Sequence, residues 1–269
     1  MALVINLAKS TDRRRSIEAE LSRAGVAYKV ITALESRDVD LGDRNLVVPE
    51  GLMARRGHWP SVVACSLSHL ATYRYVLEQG WAGALVLEDD VSVAPDLAEL
   101  TQQVASATRG AEAVLYGYGH KLPGQPLLLS RAGATAVGSR SLVLPVDMGN
   151  LKSTLGYYIT AEGCRRLADH LLPIRVPADE WDLFYEMGWL DNIRCVWPRA
   201  IYAKPFPSHI TYSSSRLKAR CRETMERLPG LRSLVRWRRR HLQDLWSEAQ
   251  LVGTALPPQH RNDGQCPSG

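Results

Sequence analysis

Cysteine is scarce in this chain and never closely paired. Cys65, Cys164, Cys195, Cys221 and Cys266 are its five cysteines, and their scatter excludes both a disulfide-stapled miniature domain and the close Cys pairs of a structural zinc site. They read as reduced thiols, most of them packing residues. Long apolar runs are missing too, since no stretch approaches the ~18 consecutive residues of a membrane span. The opening Met1-Ala2-Leu3-Val4-Ile5-Asn6-Leu7 is too short for a secretory leader and has no basic flank, so it reads as a first strand and the expected location is the cytosol. Internal repeats and low-complexity tracts are absent. What is there is 269 residues of ordinary globular composition, enough for one large α/β domain with a smaller appendage.

The formal charge of +5 is concentrated in one place. Between Arg216 and His241 ten Lys/Arg face only Glu223 and Glu226, and the rest of the chain is net −3. Leucines and tryptophans, from Leu217 to Trp246, interleave with these arginines, and Pro229-Gly230 divides the segment into two expected helical pieces. A cationic amphipathic helix with tryptophan suits an anionic membrane surface, where each nearby Lys/Arg contributes about 1 kcal/mol. Nucleic acid, which is not expected, and simple solvated packing are the alternatives. Three regions follow: a domain over 1–215, a basic amphipathic helical segment over 216–256, and a disordered tail over 257–269 after Pro257-Pro258.

Along the domain, residues 3–7 predict a strand, Asp12 to Ala24 a helix closed by Gly25, and Tyr28 to Ile31 a second strand, which is a βαβ unit. Asp38 to Pro60 predicts a long surface loop. A helix from about Ser61 to Gln79 stops at Gly80. Leu97, Leu100 and Val104 mark another helix after Pro95, and Ala113 to Tyr116 another strand. Gly117 to Asn150 suggests short antiparallel strands or a loop-rich insertion. Gly156 to Thr160 then reads as a strand whose last residue caps the next helix. One further helix opens at Pro177–Asp182, and Ile193 to Trp197 predicts a late strand.

Chemistry is expected where the apolar run Ala84-Leu85-Val86-Leu87 meets Glu88-Asp89-Asp90. Four apolar residues without alternation fit a strand buried on both faces, and its carboxyl end is where open α/β sheets bind ligands. Glu88 and Asp90, at i and i+2, point the same way and can share a divalent ion, which such sites complete with substrate phosphates. Asp89 then faces away, toward ribose, donor sugar or a backbone contact. A solvated acidic turn is the bland alternative. Asn6, Arg13 and Arg14 follow the first strand, where helix-start N–H groups and guanidinium groups receive phosphates, with Arg13 favoured. Ser66 and His69 share a helix face; His69 either contacts donor phosphate, holds the acidic loop, or is a buried packing histidine. Tyr157 and Tyr158 point to opposite faces, so only one can face the cleft.

Four segments together resemble glycosyltransferase family 25, the lipooligosaccharide biosynthesis glycosyltransferases: Val4-Ile5-Asn6-Leu7 with Asp12-Arg13-Arg14, Cys65-Ser66-Leu67-Ser68-His69, Leu87-Glu88-Asp89-Asp90, and Gly156-Tyr157-Tyr158-Ile159 followed by Pro177-Ala178-Asp179. The resemblance spans roughly residues 3–215, and Thr32-Ala33-Leu34-Glu35 is a looser fit. It implies a GT-A-like, single Rossmann-type domain with a mainly parallel central sheet, a nucleotide-sugar donor, and inversion assisted by Mn²⁺ or Mg²⁺. Glu88 and Asp90 become the metal ligands, with His209 as a late candidate. Asn6, Arg13, Ser66, His69, Asp89 and Tyr157 become the donor contacts. Asp179, matching the family's Pro-x-Asp, becomes the general base, with Glu180 and Asp182 as rivals and a helix N-cap as the structural alternative.

The expected function is transfer of a hexose, with galactose favoured, from a uridine diphosphate sugar to a glycan or glycolipid acceptor of lipopolysaccharide or another cell-surface glycan, on or near the inner face of a membrane. A metal-dependent nucleotidyltransferase and a non-catalytic membrane-docking scaffold are the competing readings.

Overall fold

A strand that lacks polar alternation must be covered on both faces, and the first strands of this chain obey that rule. The structure, a computed structural model, describes residues 1–48, 59–122, 125–206 and 249–252. In chain order the elements are β1 (Ala2–Asn6), α1 (Thr11–Arg23), β2 (Tyr28–Thr32), α2 (Trp59–Glu78), β3 (Gly83–Glu88), β4 (Val91–Val93), α3 (Leu97–Ala107), β5 (Glu112–His120), β6 (Leu127–Val137), β7 (Arg140–Pro145), β8 (Leu151–Thr160), α4 (Ala161–His170), α5 (Trp181–Glu186), β9 (Asn192–Trp197), β10 (Ile201–Ala203) and β11 (Ala249–Val252).

Successive residues of β1, β3 and β5 enter two different cores, as a side-chain period of two requires. Leu3, Ile5, Ala84, Val86, Ala113 and Leu115 pack with Val63, Leu70, Tyr73 and Val76 of α2, Cys164 and Leu167 of α4, and Trp181 and Phe184 of α5. Ala2, Val4, Leu85, Leu87, Val114 and Tyr116 pack with Ile17 and Leu21 of α1 and Leu97, Leu100 and Val104 of α3. Three layers result, helices on both sides of one sheet. Each fully buried Leu or Val contributes on the order of 1.5–3 kcal/mol, so the two cores fix the sheet from both sides.

The sheet has nine strands in the order β11-β6-β7-β9-β5-β8-β3-β1-β2. The sheet is mixed rather than uniformly parallel. Pairings β3–β1, β1–β2, β5–β9 and β11–β6 are parallel, whereas β8 runs antiparallel to both β3 and β5 and β7 antiparallel to both β6 and β9. The β6–β7 pair returns the chain so that β8 slots between β3 and β5 against their direction. Gly156 sits opposite Leu87 in that slot, where a Cβ would run into the Leu87 and Ile201 side chains. This close approach is what the glycine of Gly156-Tyr157-Tyr158 provides.

Local signals act as their chemistry demands. Gly25 and Gly80 take positive φ at the ends of α1 and α2, and Thr160 Oγ1 accepts the Gly163 N–H at 3.1 Å to cap α4. Within the range expected to be helical, Ala249–Val252 form a strand parallel to β6. The rest of 216–256, the tail over 257–269 and residues 49–58 of the long loop lie outside the described residues. Among the described residues no helix is long and apolar enough to cross a membrane.

Candidate active site

The carboxyl ends of β1, β2 and β3 open onto one cavity of about 330 Å³. Its walls are Ile5 and Leu7 at the end of β1, Lys9 of the following turn, Arg13 of α1, Ala33 to Ser36 after β2, Ser61, Ala64, Cys65, Ser68 and His69 of α2, and Glu88, Asp89 and Asp90 at the end of β3. A crevice outside the carboxyl ends of parallel strands is where such sheets bind ligands. A larger cavity of about 670 Å³ lies beside β7 and β9. Its Asp191 is bound to Arg166 and its Arg194 to Glu112, whereas the smaller cavity gathers three consecutive carboxylates at the carboxyl ends of parallel strands and is the better candidate for chemistry.

The three carboxylates have different partners. Asp89 is fully engaged: Asn6 Nδ2 donates to Oδ2 at 2.7 Å and Arg13 Nη1 to Oδ1 at 2.9 Å. Asn6 is itself buried and also donates to the Ser10 carbonyl at 3.2 Å, so it anchors the acidic turn to the start of α1. Arg13 Nη1 lies 3.0 Å from Asp90 Oδ2, with its guanidinium 5.6 Å from the Phe206 ring. Asp90 Oδ1 is buried and has no hydrogen-bond partner among the described residues. Glu88 accepts a 2.5 Å bond from Thr154 Oγ1. Burial pushes the Glu88 carboxyl up to about 8, helped by the charge of Asp90, and burial also raises Asp90 against the pull of Arg13. Both anions are therefore short of compensating positive charge.

A second cluster stands beside the first. Lys152 Nζ lies 2.8 Å from Asp179 Oδ1 and 3.0 Å from Glu180 Oε1, and Lys121 Nζ lies 2.5 Å from Glu180 Oε2 and 3.4 Å from Asp182 Oδ2. The clusters sense each other, because Asp179 contributes to raising Glu88, and Glu88, Asp179 and Lys152 all act on Cys65. Burial, Glu88 and Asp179 push the Cys65 thiol up, which removes it as a nucleophile. Of the three candidate bases, Glu180 is buried between two lysines, whereas the Asp179 side chain keeps 30% exposure and a single lysine partner. The N-cap position of α5 falls on Glu180 with no side-chain cap bond, so Asp179 is not a capping residue.

Other expected contacts fall elsewhere. Ser66 is buried, its Oγ has no hydrogen-bond partner among the described residues, and it is not part of the cavity wall. One helical turn separates wall positions, so α2 presents Ser61, Cys65 and Ser68 instead. Ser68 Oγ accepts from Leu34 N at 2.9 Å, tying the end of β2 to α2. His69 touches the cavity, but its Nδ1 is 2.7 Å from the Tyr157 hydroxyl and burial lowers it to about 3. Tyr157 is fully buried and bonded to Tyr73 at 2.9 Å, so it supports His69 from the core and does not face the cleft. His209 lies outside the described residues. Sequence reasoning missed Lys121, Lys152 and Thr154, which carry no local pattern, whereas Glu35, in the loosely fitting Thr32-Ala33-Leu34-Glu35 after β2, does line the cavity.

Residues 1–123 match the sequence model of glycosyltransferase family 25 (LPS biosynthesis protein). That match supports reading the chain as a glycosyltransferase. The match takes in the whole first cluster of this glycosyltransferase, from Asn6 to Asp90, together with Lys121, whereas Lys152, Thr154 and Asp179 to Asp182 lie beyond it. It is also shorter than the span of roughly 3–215 over which the resemblance was read. No curated protein matches the chain.

Proposed function

We propose that this glycosyltransferase takes a hexose, with galactose as the first candidate, from a uridine diphosphate sugar and transfers it with inversion to a saccharide acceptor of lipopolysaccharide or a related cell-surface glycan. The family match supports sugar transfer in lipopolysaccharide biosynthesis. The observation that carries the finer reading is the buried, unpartnered Asp90 Oδ1 beside a Glu88 held short of positive charge.

That donor set suits a hard divalent ion. Mg²⁺ and Mn²⁺ sites use one or two carboxylates and are completed by water and substrate phosphate oxygens. Among the described residues no three His, Cys, Asp or Glu side chains converge on one point, so Glu88 and Asp90 are proposed as the protein's share and the donor diphosphate as the remainder. The ion, when bound, supplies positive charge to the departing diphosphate. Every other task falls to the chain itself. Arg13, held by Asp89 and beside Asp90, would be positioned to donate to a phosphate oxygen once the charge of Asp90 is taken up by the ion. The end of β2, with Leu34 and Glu35, is the proposed seat of the nucleoside. Asn6 keeps the acidic turn against α1 throughout.

Asp179 is the proposed general base. It takes the acceptor hydroxyl proton as that oxygen attacks the anomeric carbon, and the bond to the diphosphate breaks on the opposite face. Glu180 and Asp182 are then structural anchors for the two lysines. Peripheral membrane docking through Arg216–Trp246 remains part of the proposal on sequence grounds alone, as the segment lies outside the described residues.

A panel of nucleotide sugars with Mn²⁺, read by product analysis, tests the proposal. Free nucleoside diphosphate formed from one uridine diphosphate sugar is the expected result. Pyrophosphate as product would favour nucleotidyl transfer, and no binding or turnover of any donor would favour a scaffold. Asp179→Asn should lower transfer by at least ~10²-fold, the scale on which a positioned general base contributes.

A further inference from the structure

β8 enters the site with an irregular backbone. Its pairing with β5 shifts between Leu115 and Gly117 and again between Gly117 and Gly119, which brings Lys152 opposite Gly119. Ser153 holds φ at +98°, as no other non-glycine among the described residues does. L residues avoid that region because Cβ crowds the backbone, and such a conformation persists where its surroundings over-determine it. They do so here. The Ser153 carbonyl accepts the Trp181 Nε1–H at 2.9 Å, and its Oγ accepts the Leu155 N–H at 3.2 Å. Trp181 is fully buried and packs edge-on against Tyr157 at 5.0 Å.

The three residues of this kink each reach a different part of the site. Lys152 binds Asp179 and Glu180, Ser153 is fastened to the first residue of α5, and Thr154 donates to Glu88. Strand irregularities next to active sites serve to re-aim side chains. We infer that the Lys152-Ser153-Thr154 kink is the positioning element that sets the donor-side carboxylate Glu88 and the acceptor-side carboxylate Asp179 in fixed relation, with Thr154 aiming the first, Lys152 the second, and the Ser153–Trp181 bond locking both. This rests on the roles proposed above for Glu88 and Asp179. It goes further in making one strained tripeptide, outside the matched 1–123 region, responsible for both.

The test uses the full chain and four variants: Thr154→Val, Thr154→Ser, Lys152→Met and Lys152→Arg. Transfer kinetics are measured with donor and acceptor varied separately, uridine diphosphate binding by calorimetry, and folding by thermal melts. Thr154→Val should raise the donor KM and the uridine diphosphate Kd about tenfold with kcat little changed, and Thr154→Ser should restore both to within about threefold. Lys152→Met should lower kcat about thirtyfold while uridine diphosphate affinity stays within about twofold, and Lys152→Arg should recover part of it. If Thr154→Val and Lys152→Met depress kcat and affinity together in step with a falling melting temperature, or change neither, the kink is merely structural and the inference is overturned. An inactive wild type would defeat the proposed function and this inference together, whereas an active wild type with unsplit variants defeats the inference alone.

Discussion

Replacing Arg13 with methionine removes the cation that pairs with Asp89 and Asp90 while keeping most of the apolar stem. Its Nη1 lies 2.9 Å from Asp89 and 3.0 Å from Asp90, and its side chain is 11% exposed. Breaking a buried pair on one side costs about 3–5 kcal/mol, because the remaining charge stays buried without its partner. Asp90 is already raised by burial and can take up a proton, so the lower end, about 3 kcal/mol, is expected. At roughly 2–4 °C per kcal/mol for a domain of this size, the melting temperature in chelator at neutral pH should fall by about 6–12 °C. An ion that binds only the folded state adds about 2.7 kcal/mol at a hundredfold excess over its Kd. Millimolar Mn²⁺ should therefore return most of the loss in Arg13→Met and add less to the wild type, whose arginine it must displace. The reasoning is refuted by a fall of under about 2 °C in chelator, or by a full fall that Mn²⁺ leaves untouched.

Two titrations with opposite signs should be separable. Glu88 is raised from 4.5 to about 8, so the folded state holds its proton more tightly, and the associated stability is full below pH 4.5 and is lost as pH rises through about 8. His69 is lowered from 6.5 to about 3, so its contribution is full above pH 6.5 and is lost as pH falls toward about 3. Each contributes a slope of up to about 1.4 kcal/mol per pH unit within its window. In urea denaturation with chelator, Glu88→Gln should make stability rise with pH between about 4.5 and 6.5, where the two otherwise cancel, and make the protein more stable than wild type at pH 8 by about 1–3 kcal/mol. His69→Gln should instead steepen the decline from pH 4.5 to 8. Stability-versus-pH curves that superimpose on the wild type would contradict the burial assigned to the corresponding side chain.

Much of the α/β layering was legible in local pattern. The apolar runs at 3–7 and 84–87 have no polar alternation, and both become two-faced strands; Leu97, Leu100 and Val104 recur at helical spacing, and all three are buried. Strand order was not legible, because nothing in Leu151–Thr160 records that it pairs antiparallel between two strands laid down 31 or more residues earlier. The same distinction governs the site. Glu88, Asp89 and Asp90 announce themselves by following an apolar run, and Asn6 and Arg13 by following the neighbouring strand. Lys121 and Lys152 are single lysines whose partners, Asp179 to Asp182, lie 27 to 61 positions away, so only the fold brings them together. The i, i+3 spacing of Ser66 and His69 identifies a shared helix face without saying which side of it meets the cavity, and the cavity wall takes Ser68 instead.

The central claim is that the acidic turn after β3 grips a donor diphosphate through a divalent ion. Calorimetric titration of uridine diphosphate into wild type and Asp90→Asn, each with Mn²⁺ and with chelator, addresses it most directly. Binding that needs Mn²⁺ in the wild type and weakens at least ~10²-fold in Asp90→Asn, with Arg13 and Asp89 still paired and the melting temperature retained, is the predicted result. Equal affinity for uridine diphosphate in both proteins, or binding indifferent to Mn²⁺, would contradict it.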